Sequence, residues 1–382
     1  MRIGIIRLGS LGDILHTLPA LSALRRKFPR DGGGPSGGNR IEWLVESAHA
    51  SFLAGHPLLD DLHVMDTRRW RRLRRGAAGP VDAVRRVRRS RFDVALDFQG
   101  LLKSAILARL SGAKKRIGFD SDRCREPAAS VLYTHPVAPP SGAEHVIERN
   151  LSLLGPLGIE RDIAIEFPLA LTESDRRMAD TFFADRGWTS EVPVVAICPG
   201  AGWETKRWGV ERFAALGDRI AGDTGAKLLV VRGKDEGPLA EALRANFRAP
   251  AEVIPPTSVR EMAAFLERCR MFIGGDTGPL HLAAALGVPT VALMGPTTPS
   301  RNGPLGPGPP GGGRGTVVHH ELPCSHCYKK TCPGFGIRCL TEITPAEAAG
   351  RALELWADRR TDPPGAIARA GIAAGAEEKG RA

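Results

Sequence analysis

The chain has 382 residues, of which 42% are hydrophobic, and it carries a formal net charge of +11 with a pI near 9.7. This length and apolar fraction suffice for two ordinary domains. No run of 18 apolar residues is present, and charge appears early at Arg7 and Asp13. We therefore expect neither a membrane-spanning helix nor a secretory signal, and we place the protein in the cytoplasm.

The first part of the chain alternates strand and helix patterns. The predicted elements are a strand over 2–7, a loop over 9–13, a helical pattern to about residue 27, a glycine-rich loop over 31–39, strands over 41–45 and 92–97, and a helix over 101–110. Pro19 either opens the main helix or follows a short first turn, because proline is tolerated only at the start of a helix.

The alternation restarts after residue 192. The predicted elements are strands over 194–198, 227–232, 271–275 and 288–294, helices over 210–221, 239–246, 259–269 and 280–286, and a Gly/Pro-rich loop over 303–315. This order predicts an α/β fold with two doubly wound parallel sheets. We expect domains over 1–168 and 193–360, a linker over 169–192 and a disordered tail over 361–382.

Ligands of such sheets bind beyond the carboxyl ends of the strands, where three polar loops lie. The first loop, Gly9-Ser10-Leu11-Gly12-Asp13, places Asp13 at the start of a helix. An acid there caps the helix and complements its dipole, or it takes a proton from an attacking hydroxyl group.

The second loop runs from Gly274 to His281 and ends a strand in a glycine-rich turn. Free amides and the helix dipole at such a turn favour a diphosphate, and Asp276 and His281 can hydrogen-bond a sugar or nucleotide. A tight turn with a helix cap is the structural alternative.

The third loop, Pro199 to Trp208, joins small residues to the cations Lys206 and Arg207. Lys206 can neutralise the charge on a departing diphosphate, or it is an ordinary surface lysine.

Residues 67–91 hold eleven arginines and one internal acid, Asp82. This stretch is a solvated basic face or a surface for an anionic membrane or acceptor. A nucleic-acid site would interleave aromatic residues, and Trp70 is nearly alone, so we expect no nucleic-acid partner.

Four of the seven cysteines cluster as Cys324-x2-Cys327-x4-Cys332-x6-Cys339. Four thiols in this span can hold a structural zinc ion, although the spacing is not that of a common zinc ribbon. Free thiols or a redox-labile pair are the alternatives.

Taken together, these motifs resemble the heptosyltransferase family, glycosyltransferase family 9. The resemblance is carried by Gly9–Asp13 with Leu18-Pro19, Asp97-x-Gln99-Gly100-Leu101-x-Lys103-Ser104, Arg125-Glu126-Pro127-x-x-Ser130, Lys206-x-Trp208, Asp276-Thr277-Gly278-x-x-His281 and Gly295-Pro296-Thr297-x-Pro299. The chain departs from the family's first enzyme at Ala201 and Gly202, where that enzyme has hydroxyl residues. Its cysteine cluster is more like the second enzyme.

The resemblance implies a fold of the GT-B type, with two Rossmann-like domains facing across a cleft. It implies an ADP-heptose donor on the C-terminal domain and a lipid-linked, anionic glycan acceptor, the inner core of lipopolysaccharide, on the N-terminal domain. Asp13 would be the general base and Lys206 a contact to the donor phosphate. Further donor contacts would come from Gly202, Asp276, Thr277, Gly278 and His281, and acceptor contacts from Gly12, Gln99 and Lys103.

The expected reaction is an inverting glycosyl transfer that requires no metal or other cofactor, with peripheral contact between the protein and the cytoplasmic face of the inner membrane. Three alternatives remain open. One is a transferase of the same family that uses another nucleotide sugar for a surface polysaccharide. Another is a sugar-nucleotide epimerase on the same fold, which would turn over the donor without an acceptor. The third is a non-enzymatic basic module that binds a membrane or nucleic acid through residues 67–91.

Overall fold

The computed structural model describes residues 1–30, 38–67, 78–308, 315–334 and 336–358. The chain divides into two compact units, Met1–Ala170 and Leu171–Ala382.

In the first unit the described residues form a six-stranded parallel sheet with helices around it. Its strands are β1 (Arg2–Ile6), β2 (Arg40–Glu46), β3 (Asp61–Met65), β4 (Val94–Asp97), β5 (Lys115–Phe119) and β6 (His135–Val137). Its α-helices are α1 (Leu11–Leu15), α2 (Leu18–Lys27), α3 (Ala50–Leu53), α4 (Ala78–Arg89), α5 (Leu102–Leu110) and α6 (Val146–Ser152). Short 3-10 turns lie at Ser47–His49, Pro127–Leu132 and Gly155–Leu157.

The second unit repeats this plan. Its strands are β7 (Val194–Cys198), β8 (Lys227–Val230), β9 (Ala251–Val253), β10 (Met271–Gly275), β11 (Thr290–Met294) and β12 (Gly315–His319). Its α-helices are α7 (Glu173–Asp185), α8 (Val210–Thr224), α9 (Gly237–Asn246), α10 (Val259–Glu267), α11 (Gly278–Ala285), α12 (Pro299–Asn302), α13 (Arg338–Thr341) and α14 (Pro345–Ala357), with a 3-10 turn at Glu204–Lys206.

The two sheets share one strand order. The first runs β3-β2-β1-β4-β5-β6 and the second runs β12-β11-β10-β7-β8-β9, which is the same sequence of connections read from the other edge. This is the order of a dinucleotide-binding fold, in which the winding direction reverses between the first and fourth strands. The reversal points are β1/β4 and β7/β10, so we expect ligands at the carboxyl ends of these strands.

The central strands form the core of each unit. Every residue of β7, β10 and β11 is buried, and Ile3, Ile5 and Ile6 of β1 are inaccessible to solvent. Such continuous apolar strands are typical of parallel sheets covered by helices on both faces. This is why the sequence pattern identified these strands.

The helices begin where the local sequence caps them. Ser258 accepts a hydrogen bond from the Glu261 amide, and the Glu261 side chain accepts one from the Ser258 amide, which starts α10 with a capping box. The short helix α1 precedes α2, and Pro19 lies in the first turn of α2, where its missing N–H costs no hydrogen bond. The alternative with a short first turn is therefore confirmed.

The sequence prediction omitted β3, β5, β6, β9, β12, α3, α4, α6, α12, α13 and α14. Several of the omitted strands are short and carry polar residues, such as Lys115 and Arg116 in β5, so they lack the apolar run that marks a central strand. Residues 169–192, expected as a linker, include helix α7 of the second unit. The tail over 361–382 and the arginines between 68 and 75 lie outside the described residues, as do parts of the predicted loops over 31–39 and 303–315.

Candidate functional site

The loops that follow β1 and β4 meet at the reversal point of the first sheet. The Leu8 amide donates a hydrogen bond to Gln99 Oε1 at 2.9 Å, and Arg7 Nη1 donates to the Phe98 carbonyl oxygen. A side chain from each loop, Arg7 or Gln99, thus joins it to the other. The backbone of Gly9, with φ of 155°, passes close to His49, because a Cβ on Gly9 would lie 2.8 Å from that imidazole ring.

Asp13 lies in the first turn of α1. Its Oδ2 accepts hydrogen bonds from the Ser10 amide at 2.9 Å and the Ser10 hydroxyl at 3.2 Å, and its Oδ1 forms an ion pair with Arg7 Nη2. The Asp13 side chain is 34% exposed, whereas that of Arg7 is 8% exposed. Asp13 therefore caps its helix, while about a third of its side chain stays exposed to solvent.

The electrostatic surroundings keep Asp13 ionised. Burial raises the pKa of Asp13, but the guanidinium of Arg7, the two hydrogen bonds from Ser10 and the charge of Arg125 together outweigh it. The resulting pKa lies below the ordinary value of an aspartate, so Asp13 is a carboxylate at neutral pH. Such a group can receive a proton.

The predicted acceptor residues occupy two places. Gly12 is buried in α1, and Gln99 uses its side-chain oxygen on Leu8, which leaves its amide N–H groups for a ligand. Lys103 lies on α5, and its Nζ is 3.4 Å from the Thr67 hydroxyl beyond the end of β3. The structure therefore brings Gly12, Gln99 and Asp13 to the carboxyl ends of β1 and β4, whereas Lys103 reaches towards the end of β3.

Asp276, which directly follows β10, is the centre of a hydrogen-bonded cluster in the second unit. Its Oδ2 accepts from Lys206 Nζ at 2.6 Å and from the Thr297 hydroxyl at 2.7 Å, and its Oδ1 lies 2.9 Å from His281 Nε2. Burial raises the pKa of Asp276, but His281 and Lys206 outweigh it and hold the pKa well below its usual range. The cluster therefore contains a fixed negative charge matched by a nearby cation.

Lys206 enters this cluster from the 3-10 turn after β7. Its Nζ also donates to the Asp276 carbonyl oxygen at 3.1 Å and lies 4.5 Å from the centre of the Trp203 ring, and its side chain is 15% exposed. An ammonium group has three N–H donors, and two are used here. Within the described part of the chain the third donor has no acceptor, so it is available to an anionic ligand.

The other predicted donor residues frame the cluster. Thr277 is the residue before α11 and Gly278 is the first residue of that helix, so their amides lie at its N-terminus. Gly202 is exposed, and a Cβ there would meet no atom within 4 Å among the described residues. Gly202 therefore leaves open space in the loop after β7.

The structure adds residues to which sequence reasoning assigned no role. Thr297 hydrogen-bonds Asp276, and Arg7 pairs with Asp13. The Glu236 carboxylate accepts from the Gly233 amide at 2.8 Å and packs against Gly200, where a Cβ would lie 2.1 Å from its Oε2. Thr297, Arg7 and Glu236 each lie after the end of a strand, and this position is the one sequence signal that could have identified them.

The four clustered cysteines are of intermediate burial, and none of them forms a disulfide bond. Burial raises the pKa of Cys339 above its ordinary value, and the nearby thiols of Cys324, Cys327 and Cys332 raise it further. Separately, no helix among the described residues is both long and apolar enough to cross a bilayer.

Comparison with known proteins shows a consistent likeness. Residues 81–336 match the sequence model of glycosyltransferase family 9 (heptosyltransferase). The chain is 34% identical to lipopolysaccharide heptosyltransferase 1 of Pseudomonas aeruginosa, over 87% of each chain, and 29% identical to lipopolysaccharide heptosyltransferase 1 of Escherichia coli K12, over 80% of this chain and 91% of that one.

Solved structures of heptosyltransferases and a family 9 relative show the same likeness. The structure of a family 9 glycosyl transferase from Veillonella parvula superposes with a TM-score of 0.76 at 22% identity, covering 94% of this chain and 97% of the other. E. coli heptosyltransferase WaaC with ADP superposes with a TM-score of 0.69 at 25% identity, covering 93% of this chain and 100% of the other. These similarities confirm the predicted α/β fold.

Proposed function

The chain belongs to glycosyltransferase family 9, the heptosyltransferases, and on this premise we propose that it transfers heptose from ADP-heptose to the inner core of lipopolysaccharide, on Kdo-lipid A or heptosyl-Kdo-lipid A. It is a glycosyltransferase with an α/β fold of the GT-B type. The observation that carries the proposal is the Lys206–Asp276–His281 cluster at the β7/β10 reversal point.

This cluster supports a nucleotide-diphosphate donor in the second unit. The amides of Thr277 and Gly278 at the start of α11 and the remaining donor of Lys206 suit a diphosphate, because helix N-termini and cations attract anions. E. coli WaaC has been solved with ADP and with ADP-2-deoxy-2-fluoro heptose. That relative binds a donor of the class proposed for this chain.

The proposed reaction is a displacement at the anomeric carbon with inversion. An acceptor hydroxyl oxygen forms the new glycosidic bond while its proton passes to Asp13, and the bond from the anomeric carbon to the diphosphate breaks so that ADP leaves. Asp13 suits this task because it is ionised and partly exposed. Lys206 and the amides at Thr277 and Gly278 would stabilise the negative charge of ADP, so we propose that the transfer requires no cofactor.

The acceptor would lie at the first unit, near Gly12, Gln99 and Lys103. Because the proposed acceptor is lipid-linked and anionic, we also propose peripheral contact with the cytoplasmic face of the inner membrane.

Two exposed surfaces support this contact. Leu102, Ile106 and Leu110 form a stripe along one face of α5, each between 39% and 42% exposed, and Val131 in the adjoining turn is 83% exposed. On α4, Arg85, Arg86, Arg88 and Arg89 are exposed and would suit anionic lipid.

Donor binding measured by calorimetry tests the donor assignment. We expect ADP-heptose and ADP to bind, UDP-glucose and GDP-mannose to bind far more weakly, and Lys206→Ala to weaken ADP binding. Lys227→Ala, at the exposed amino end of β8, is the matched control. Preference for a uridine or guanosine sugar would favour the alternative of a surface-polysaccharide transferase.

Turnover tests the base and the reaction class. Asp13→Ala should abolish transfer and retain donor binding, whereas retained transfer would exclude Asp13 as the base. Donor conversion to an isomer without acceptor would favour the sugar-nucleotide epimerase instead.

Vesicle flotation tests the membrane contact. We expect binding to anionic vesicles that weakens with salt and with Ile106→Ser. Binding that ignores salt, lipid charge and this substitution would contradict the proposal. A structural zinc ion on Cys324, Cys327, Cys332 and Cys339 stays a prediction.

A further inference from the structure

Three side chains capable of binding a metal converge beyond the end of β12. His319 is the last residue of the strand, and Glu321 and His326 lie in the segment that follows. Glu321 Oε1 lies 3.4 Å from His319 Nε2 and 3.3 Å from His326 Nε2. All three ligand atoms lie within 4.8 Å of one another, whereas the four clustered thiols form no such group among the described residues.

Ordinary hydrogen bonding does not account for this group. Both Nε2 atoms are buried, and neither has a hydrogen-bond partner among the described residues. Buried polar atoms in native proteins are nearly always satisfied, so two unsatisfied nitrogens facing one carboxylate oxygen require an explanation. By contrast, His63 Nε2 lies 2.7 Å from Glu42 Oε2 and makes an ordinary hydrogen bond.

The hydrogen bond made by the other ring nitrogen of His319 also favours a metal ligand at this position. Its Nδ1 lies 2.9 Å from the Met294 carbonyl oxygen, and a carbonyl oxygen can only accept, so Nδ1 carries the proton. In the neutral ring Nε2 then presents a lone pair. A histidine that binds a metal commonly donates its other ring N–H to a backbone carbonyl in this way.

The distances fit a tetrahedral metal ion. Zinc binds histidine nitrogen and carboxylate oxygen at about 2.0–2.2 Å, so two ligands at the tetrahedral angle are about 3.3–3.5 Å apart. The two nitrogen–oxygen distances of 3.4 and 3.3 Å match this separation. We propose that His319, Glu321 and His326 form a binding site for a divalent transition metal of the zinc type.

The fourth ligand position would face outward, because the Glu321 side chain is 68% exposed. A water molecule would complete the tetrahedron, because no thiol among the described residues belongs to this group of ligand atoms.

The segment that carries these ligands also braces the Asp276 cluster. The Lys329 carbonyl oxygen accepts from the Thr205 hydroxyl at 2.7 Å, next to Lys206, and the Tyr328 hydroxyl donates to Thr298 at 3.0 Å, next to Thr297. A bound ion would fasten this segment to the end of β12. An effect of the bound ion on the affinity for the donor would rest on the proposed function, whereas metal binding itself does not.

Zinc titration of untagged, chelator-treated protein tests the site directly, with a competing chelator dye and thermal denaturation as readouts. We expect the wild type to bind zinc and to gain thermal stability from it, because a ligand bound by the folded state stabilises that state. His319→Gln, His326→Gln and Glu321→Gln should each weaken zinc binding by more than about tenfold, the lower end of the loss caused by removing only an outer-shell partner.

His320→Gln is the matched control, because the neighbouring His320 pairs with Glu347 at 2.9 Å and belongs to a different contact. Its zinc affinity should equal that of the wild type. Glu321→Gln keeps the test decisive even if a histidine variant fails to fold, because the exposed Glu321 contributes little to packing.

Three results would overturn the proposal. They are the absence of zinc binding by the wild type, unchanged zinc affinity in Glu321→Gln or in any folded histidine variant, and zinc binding that is lost only when the four cysteines are replaced by serine. Unchanged zinc affinity in Cys324→Ser and Cys327→Ser, together with loss in the histidine variants, would support the proposal. If zinc binds as expected but ADP-heptose does not, the metal site stands and the proposed donor fails.

Discussion

Replacing Arg7 with methionine should change how the reaction depends on pH. In the wild type the buried Arg7 guanidinium contacts Asp13 and helps to hold the pKa of that carboxylate below its ordinary value. Asp13 is then ionised throughout the neutral and mildly acidic range, so the wild-type rate should show no acid limb that reports Asp13. Without Arg7, burial remains and raises the pKa of Asp13.

The size of the shift follows from the contact between the two charges. Opposite unit charges about 3 Å apart interact by roughly 1.4 kcal/mol in water and roughly 5.5 kcal/mol at an effective dielectric constant of 20. Because the Asp13 side chain is 34% exposed, solvent screens the pair, so the interaction lost with Arg7 lies towards the lower of these two energies. Its loss should raise the pKa of Asp13, because burial then acts against a weaker opposing charge.

The assay is ADP release between about pH 4.5 and 8, with donor below saturation so that the profile reports the free enzyme. In Arg7→Met the rate should fall as the pH drops through the raised pKa, whereas the wild type should stay level over the same range. Arg7→Lys keeps a charge and should shift the profile less. A folded Arg7→Met enzyme whose profile superimposes on that of the wild type would refute the assignment of Asp13 as the ionising base.

Three further outcomes follow from the second unit. Thr297→Val removes a buried hydrogen bond to a charged carboxylate and should lower the free energy of unfolding by about 1.5–3 kcal/mol, measured by denaturant titration; no loss would show that the bond contributes nothing. Gly200→Ala places a Cβ against the Glu236 carboxylate and should weaken ADP binding or lower thermal stability, whereas Gly202→Ala points into open space and should do neither. Since the pKa of Asp276 is depressed in the folded state, its contribution to stability is complete above the unfolded pKa of about 4 and is lost as the pH falls below it. Acid titration of Asp276→Asn should therefore show a shallower loss of stability at low pH than the wild type, and parallel curves would contradict this linkage.

Sequence periodicity was sufficient to predict the central strands of each sheet and insufficient to predict the edge strands. Residues 194–198 and 271–275 are continuous apolar runs, so their predicted bounds agree with β7 and β10. Strand β6 has only three residues, His135–Val137, with a histidine and a proline among them. Its place in the sheet depends on its pairing with β5, which no local pattern records.

The same distinction holds for the candidate site. Glycine-rich turns after apolar strands located the loops at Asp13 and Asp276 without any tertiary information. The partners of these two carboxylates could not be found in this way, because Arg7 and Thr297 are joined to them only through the folding of neighbouring elements. Strand order decides which loops meet, and strand order is a property of the whole sheet.

Asp13 and Asp276 illustrate why a shared pattern does not mean a shared task. Each is an aspartate near a strand end, and a neighbouring cation helps to hold its pKa below the ordinary value. Both oxygens of Asp276 are engaged, by Lys206, Thr297 and His281, and the side chain is only 6% exposed, so a substrate proton has no route to it. The Asp13 side chain, by contrast, is 34% exposed, and its bonds to Ser10 and Arg7 come from the loop that follows β1. This difference in access favours Asp13 as the group that receives the proton and Asp276 as the group that orients Lys206 and His281.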